Sequence, residues 1–334
     1  MKYWTFSMDE FTKYDITSAI EHVIRVTNSE TIGYIGYSLG TTMMYQLLSS
    51  KPNYSNIIKP FISLGPFVYI SHILSPLLRI PMSLEPILSS NPKPLARLGS
   101  LSPLIGRYFC GFAMFKEICV IFGFLFGGFD YPQLNRTQTP RLFAHFPDSS
   151  STIAVSHVIQ RIMNENFSYF SYNSSEMNQR VYGQQTAPNY NISSIDSKYI
   201  VIMNGLNDWI ADPTDVDILV DQLTVPIVRH VIPYEHWTHG DFVFAREVGK
   251  YINAPILGVL HSLGFGRMLR VWLNLSTDSF ASLCDGLFGR KFSADCTAFL
   301  TGGFGRSETF LNTFGPSGSG RSLLTRYLCQ NKSN

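Results

Sequence analysis

The run Gly36-x-Ser38-x-Gly40 has the residue types and spacing of a nucleophile elbow. A serine held in a tight strand-to-helix turn takes a strained backbone, and only small residues two positions away escape collision. The turn lifts the hydroxyl above a sheet edge, and the helix N-terminus brings its dipole and free N–H groups to a developing oxyanion. The backbone N–H of Leu39 is one such expected donor. A serine hydrolase of this kind needs an acid and then a histidine later in the chain. Asp208 follows a strand-like run and is the candidate acid, whereas Asp212, just before Pro213, reads as a helix cap. His230, His236 and His239 lie after the acid and near the end of the next strand-like run. His230 falls inside that run and suits packing; His236 and His239 share the following loop, and spacing does not choose between them. His22, His72, His145 and His157 precede the acid and read as surface or satisfied core residues.

The elements that would position these groups follow a βα rhythm. Residues 15–26 carry Ile16, Ala19, Ile20, Val23 and Ile24 at helical spacing. Residues 32–37 read as a short buried strand entering the elbow, 41–48 as a helix and 57–64 as the next strand. The rhythm is lost from Phe67 to about Ile195, a stretch rich in Pro, Phe and Ser with helix-like pieces such as 152–163. It returns with a strand at 199–203, a helix at 214–223, a strand at 227–232 and a helix at 242–251. Alternating strands and helices predict a mostly parallel sheet wrapped by helices, with a large insertion.

Of 334 residues, 45% are hydrophobic, 14% aromatic and 15% charged, which excludes a disordered chain. A net charge of +2 makes no field for a polyanion, so no nucleic-acid partner is expected. The apolar run 118–129 is too short to span a bilayer, so no transmembrane span is expected. The five cysteines form no CxxC and no Cys/His cluster at ligand spacing, so neither a metal nor a cofactor is expected. Sequons at Asn53, Asn135, Asn166, Asn173, Asn191, Asn274 and Asn331 lean towards a secretory history. The first ten residues lack the apolar core of a signal peptide, which leaves a cytosolic protein if Met1 is the true start. In the tail, Gly315-x-x-x-x-Gly320-Arg321-Ser322 has the spacing of a phosphate loop with Arg in place of Lys. Too little chain follows it for a nucleotide domain, and it reads as a Gly/Ser linker.

Several ordered motifs carry a family resemblance. They are Tyr3-Trp4-Thr5-Phe6-Ser7-Met8-Asp9-Glu10, Tyr14-Asp15, the elbow with Gly40-Thr41-Thr42, Ala144-His145-Phe146-Pro147, and Asn207-Asp208-Trp209-Ile210-Ala211-Asp212-Pro213. Together they resemble the acid lipases, the gastric and lysosomal family of α/β-hydrolases, over roughly residues 3–250. The resemblance implies an α/β-hydrolase fold with an incomplete, mostly parallel sheet. Its core would be residues 1–66 and 196–254, with a cap or lid at 67–195 and a tail of unassigned structure at 255–334. It implies Asp208 as the acid and, through His239-Gly240-Asp241-Phe242, His239 as the base. Ser38, Asp208 and His239 would then hydrolyse lipid carboxylesters, triacylglycerols or sterol esters, at an interface or lipid droplet, in a secreted or lysosomal setting. Two alternatives use the same residues: a catalytically impaired lipid-binding fragment, and a short-chain esterase of the same fold. Family members carry further strands and a His-Gly segment, with a second oxyanion donor, ahead of the matching region, so residues 32–37 are expected to have one unpaired edge. Where the family pattern has a cysteine this chain has Gly127, which implies that Cys119 lacks its expected partner.

Overall fold

The computed structural model describes residues 2–95, 101–146 and 149–262. The phosphate-loop-like spacing at residues 315–322, Pro147, three of the cysteines and the sequons at Asn274 and Asn331 lie outside the described residues.

Helix α1 (Thr17–Thr27) follows a wider turn over Phe11–Ile16 and ends at Asn28, whose left-handed backbone (φ 52°) stops it. Strand β1 (Ile32–Tyr37) runs into helix α2 (Leu39–Ser50) through Ser38 alone. Strand β2 (Ile58–Leu64) follows. After a long excursion that contains helices α3 (Ala113–Gly127) and α4 (Thr152–Asn164), the chain returns as strand β3 (Ile200–Asn204). Helix α5 (Pro213–Gln222), strand β4 (Ile227–Val231), the short helix α6 (Asp241–Phe244) and helix α7 (Ala254–Ser262) complete the described chain.

The four strands form one parallel sheet in the order β1-β2-β3-β4. Among the described residues β1 pairs only with β2, as expected of an edge. Alternation divides the core into two layers. Phe61, Ile200 and Ile202 face one side with Ile20, Met44, Tyr45, Leu48 and Leu219, while Ile62, Leu64, Val201 and Met203 face the other with Trp237, Phe242, Ile252 and Ile256. β3 is buried along its whole length, so a one-residue slip would exchange two complete sets of contacts. Each fully buried aliphatic or aromatic side chain contributes about 1.5–3 kcal/mol, which fixes the register.

Two elements differ from their sequence expectations. The helix expected at 242–251 is interrupted, because Ala245 is extended and bridges Leu134. Arg246 N–H and Glu247 N–H also donate to Gln133, and the helical path resumes only at Gly249. Cys119, without the partner that the family pattern places at residue 127, pairs with Cys110 instead. The turn between them brings their Cα atoms to 5.8 Å, inside the range a disulfide can bridge. Beyond residue 254, Ile256 and Leu260 of α7 pack into the same layer as Trp237. No helix among the described residues is long and apolar enough to cross a membrane.

Candidate active site

Register brings the site together. Tyr37 pairs with Leu64, Leu64 with Met203 and Met203 with His230, so all four strands end at one edge. Ser38, Gly65, Asp208 and His239 each follow one of those ends, as ligand and catalytic groups do in open α/β sheets. His230 lies inside β4, with its position fixed by pairing, and His236 is exposed in the loop beyond.

Ser38 has φ 51° and ψ −119°, a conformation that costs a non-glycine residue about 1–3 kcal/mol. A Cβ on Gly36 would come within 2.9 Å of the Gly40 carbonyl and 2.8 Å of the Tyr34 ring, which is why small residues flank the serine. Ser38 N–H donates to the Leu64 carbonyl (3.0 Å), Thr41 Oγ1 donates to Ser38 O (2.6 Å), and Tyr34 Oη donates to Gly40 O (2.8 Å). The strained turn is therefore held from both sides. Leu39 is the first residue of α2, so its N–H belongs to the helix's unpaired N-terminal set.

His239 Nε2 lies 2.8 Å from Ser38 Oγ, and its Nδ1 lies 2.9 and 3.0 Å from the two Asp208 carboxylate oxygens. Both His239 and Asp208 are buried, 3% and 1% exposed, so water screens their contact little. Asp208 Oδ1 also accepts from Ile210 N–H (2.9 Å) and Ala211 N–H (2.8 Å), which orients the carboxylate. The carboxylate fixes the imidazole tautomer: Nδ1 carries the proton and Nε2 is left to accept from the serine. Asp212 instead caps α5, accepting from Thr214 N–H at 2.8 Å.

Three residues that the sequence did not single out, Tyr37, Gly65 and Arg161, shape this constellation together with Gly127. Tyr37 donates its hydroxyl to His239 O (2.8 Å) and lays its ring 5.0 Å from the imidazole. Gly65, at φ 51°, leaves room for the His–Asp pair: a Cβ there would lie 3.3 Å from Asp208 Oδ2 and from His239 Cε1 and Nδ1. The Gly127 carbonyl, at the end of α3, accepts from both His239 N–H (3.1 Å) and Trp209 N–H (3.3 Å), tying the Asp208 loop to the His239 loop. Arg161 of α4 is fully buried, stacks on Phe167 and donates to the carbonyls of Phe67 and Val68. Burial pulls its guanidinium down to about 9, against the opposing charge of Asp9. Phe67 N–H in turn donates to Thr41 Oγ1 and its carbonyl accepts from Thr42 Oγ1, which joins the β2 exit to the elbow. Of those three, only Tyr37 had a sequence signal, its place beside the serine in the elbow.

No group of three or more His, Cys, Asp or Glu among the described residues could hold a metal ion. The arrangement can do proton-coupled nucleophilic chemistry: a hydroxyl, a base in contact with it, and a carboxylate that stabilises the cationic base.

No protein-family model matches the chain. It is 30% identical over 261 residues to human "Lipase member J", covering 78% of this chain and 70% of that protein. It is 31% identical over 262 residues to human "Lysosomal acid lipase/cholesteryl ester hydrolase", covering 78% of this chain and 65% of that protein. It is also 28% identical over 264 residues to rat "Gastric triacylglycerol lipase", covering 78% and 66%. The chain thus spans about two thirds of the length of these relatives.

Proposed function

The chain belongs to the acid lipase family of α/β-hydrolases, and from that premise we propose that it hydrolyses lipid carboxylesters through Ser38, His239 and Asp208. Ser38 Oγ attacks the ester carbonyl carbon while His239 Nε2 takes its proton. The Leu39 N–H stabilises the resulting oxyanion. Collapse breaks the bond to the alcohol, which leaves with the proton from His239, and the acyl group stays on Ser38. Water, deprotonated by His239, then releases the fatty acid and restores the hydroxyl. Asp208 holds the imidazole throughout and stabilises its cationic form. The observation that carries this reading is the 2.8 Å contact between His239 Nε2 and Ser38 Oγ, with Nδ1 on a buried carboxylate.

The substrate class we propose is triacylglycerol or sterol ester at an interface, and residues 67–195 act as the cap over the acyl pocket. Helix α3 supports this. It buries Cys119, Val120 and Phe124 but exposes Met114, Ile118, Ile121 and Phe122 at helical spacing. Apolar stripes of that kind on a soluble surface mark contact with apolar ligands or lipid. The Cys110–Cys119 bridge and the exposed sequons at Asn53 and Asn191 favour an oxidising, secretory or lysosomal setting.

A fluorophosphonate probe tests the reading. Labelling at Ser38, lost in Ser38→Ala, is expected, together with faster turnover of emulsified lipid than of soluble short-chain ester. Folded protein that takes no label would leave a lipid-binding role without turnover, and a preference for the soluble ester would move the substrate class.

A further inference from the structure

Two carboxyls outside the Ser–His–Asp constellation meet directly behind the histidine. Asp241 lies two residues past His239, at the start of α6, and Asp130 lies just past the end of α3. Both are buried, 6% and 3% exposed. Asp241 Oδ2 accepts from Thr238 N–H and from Thr238 Oγ1, each at 2.7 Å, and so clamps the residue before His239. Asp130 Oδ1 accepts from Gln133 N–H (3.3 Å) and from Tyr234 Oη (3.2 Å). Asp130 Oδ2 is buried without a hydrogen-bond donor, and the end of α3 packs on the loop that carries Asp241, with Gly127 O accepting from His239 N–H (3.1 Å) and a Cβ on Gly128 falling 3.0 Å from Thr238 Cγ2, which sets the Asp241 carboxyl beside Asp130. Two buried carboxylates side by side resist ionising together; one proton between them turns the repulsion into a hydrogen bond.

Resting on the proposed role of His239, we propose that Asp130 and Asp241 are positioning residues that hold the His239 loop against the end of α3 through one shared proton. The loop between them runs Thr238-His239-Gly240, and its other anchors are the Gly127 carbonyl and the Tyr37 hydroxyl. When the shared proton leaves, the two anions push α6 away from the Asp130 turn, and the imidazole moves relative to Ser38. The titratable groups facing the pair from the elements around it are Tyr234 and His236 of the β4–α6 loop, with Tyr251 beyond Tyr234 and Glu247 on the side chain of Gln133. Burial pushes the Asp241 carboxyl up to about 7, with the charge of Asp130 adding to it and the Thr238 hydrogen bonds opposing it. Burial likewise raises Asp130, against its Gln133 and Tyr234 hydrogen bonds.

The consequence is an alkaline limb on the rate of the site. Labelling of Ser38 by a fluorophosphonate falls by up to about tenfold per pH unit above the pair's ionisation. Asp130→Asn keeps the acceptor for Gln133 and Tyr234 and supplies a permanent N–H to Asp241, so the alkaline limb disappears. An identical limb in Asp130→Asn and wild type overturns the proposal, as does a wild-type profile with no limb. Infrared spectroscopy on Ser38→Ala gives a second readout that needs neither labelling nor the Asn variant. A protonated carboxyl band present at pH 6 and lost above pH 8 is expected, and its absence at pH 6 overturns the shared proton. If wild type takes no label at any pH, the serine-hydrolase reading fails. The infrared band and its loss, together with the melting temperature of Asp130→Asn against pH, still decide the pair: wild type should lose stability as pH rises through its ionisation, the variant should lose less, and equal losses overturn the pair.

Discussion

Substituting Gly65 by Ala separates the cost of a backbone conformation from the cost of crowding the imidazole. Gly65 sits at φ 51°, and a Cβ there lies 3.3 Å from His239 Nδ1, His239 Cε1 and Asp208 Oδ2. Carbon contacts are optimal at about 3.5–4.0 Å, so the imidazole and carboxylate must yield by a few tenths of an ångström. Gly183, at φ 74° with nothing within 4 Å of its would-be Cβ, is the matched control. Both Ala variants carry a left-handed L-residue costing about 1–2 kcal/mol, about 2–8 °C in melting temperature for a domain of this size. Only Gly65→Ala also displaces His239. A misplacement of 1 Å costs on the order of a hundredfold in rate, so a few tenths should cost about 3- to 10-fold. The assay is the second-order rate of fluorophosphonate labelling, with the melting temperature measured on the same samples. Gly183→Ala should lose stability and label at the wild-type rate, whereas Gly65→Ala should lose both. Equal labelling rates in the two variants would refute the argument, because the imidazole would then not lie against residue 65 in solution.

Asp208→Asn should lower ester turnover by about 10⁴-fold, because an amide donating to Nδ1 selects the wrong imidazole tautomer; a loss below about tenfold in steady-state kinetics would remove Asp208 from its proposed role. The double variant Cys110→Ser/Cys119→Ser frees the short loop closed by the Cys110–Cys119 bridge and should destabilise that region by about 2–3 kcal/mol, read as faster proteolysis between α3 and the preceding turn. His72 donates to the buried Asp215, whose hydrogen bond raises the imidazole above its usual value against a small opposing cost of burial. Stability from that contact is present in full below about pH 6.5 and is lost as pH rises through the raised value. With half the imidazole exposed, screening limits His72→Ala to about 1–2 °C at pH 6 and to nothing measurable above the raised value, a difference thermal melts at the two pH values resolve.

What was legible in the sequence is what local rules determine. The four strands stood out because the chain alternates or runs apolar over strand length between turn residues, and their ends were found within a residue or so: Ile32–Tyr37 as read, Ile58–Leu64 against 57–64, Ile200–Asn204 against 199–203. Gly36 and Gly40 announced the strained serine because their absence of Cβ has one steric explanation, now visible as the 2.9 Å clearance to the Gly40 backbone. The choice between His236 and His239 was not local. Both lie in one loop, and what separates them is that Gly127, 112 residues earlier in the chain than His239, offers its carbonyl to His239 N–H, while Tyr37 takes the His239 carbonyl from the far side. The same distance in sequence hid Asp130, whose buried carboxylate accepts from Tyr234, 104 residues later in the chain. It also hid Cys110, nine positions from Cys119, which forms a bridge only because the turn before α3 folds back on it. The break at Ala245 has the same origin: residues 242–251 have helical spacing, and the bridge from Ala245 to Leu134 overrides it. Each of these contacts involves a residue of the irregular segment between β2 and β3, Gly127, Asp130, Cys110 or Leu134, where periodicity carries no signal. That segment therefore does more than connect two strands: through Gly127 and Arg161 it ties the His239 loop to the Asp208 loop and braces the β2 exit beside the elbow.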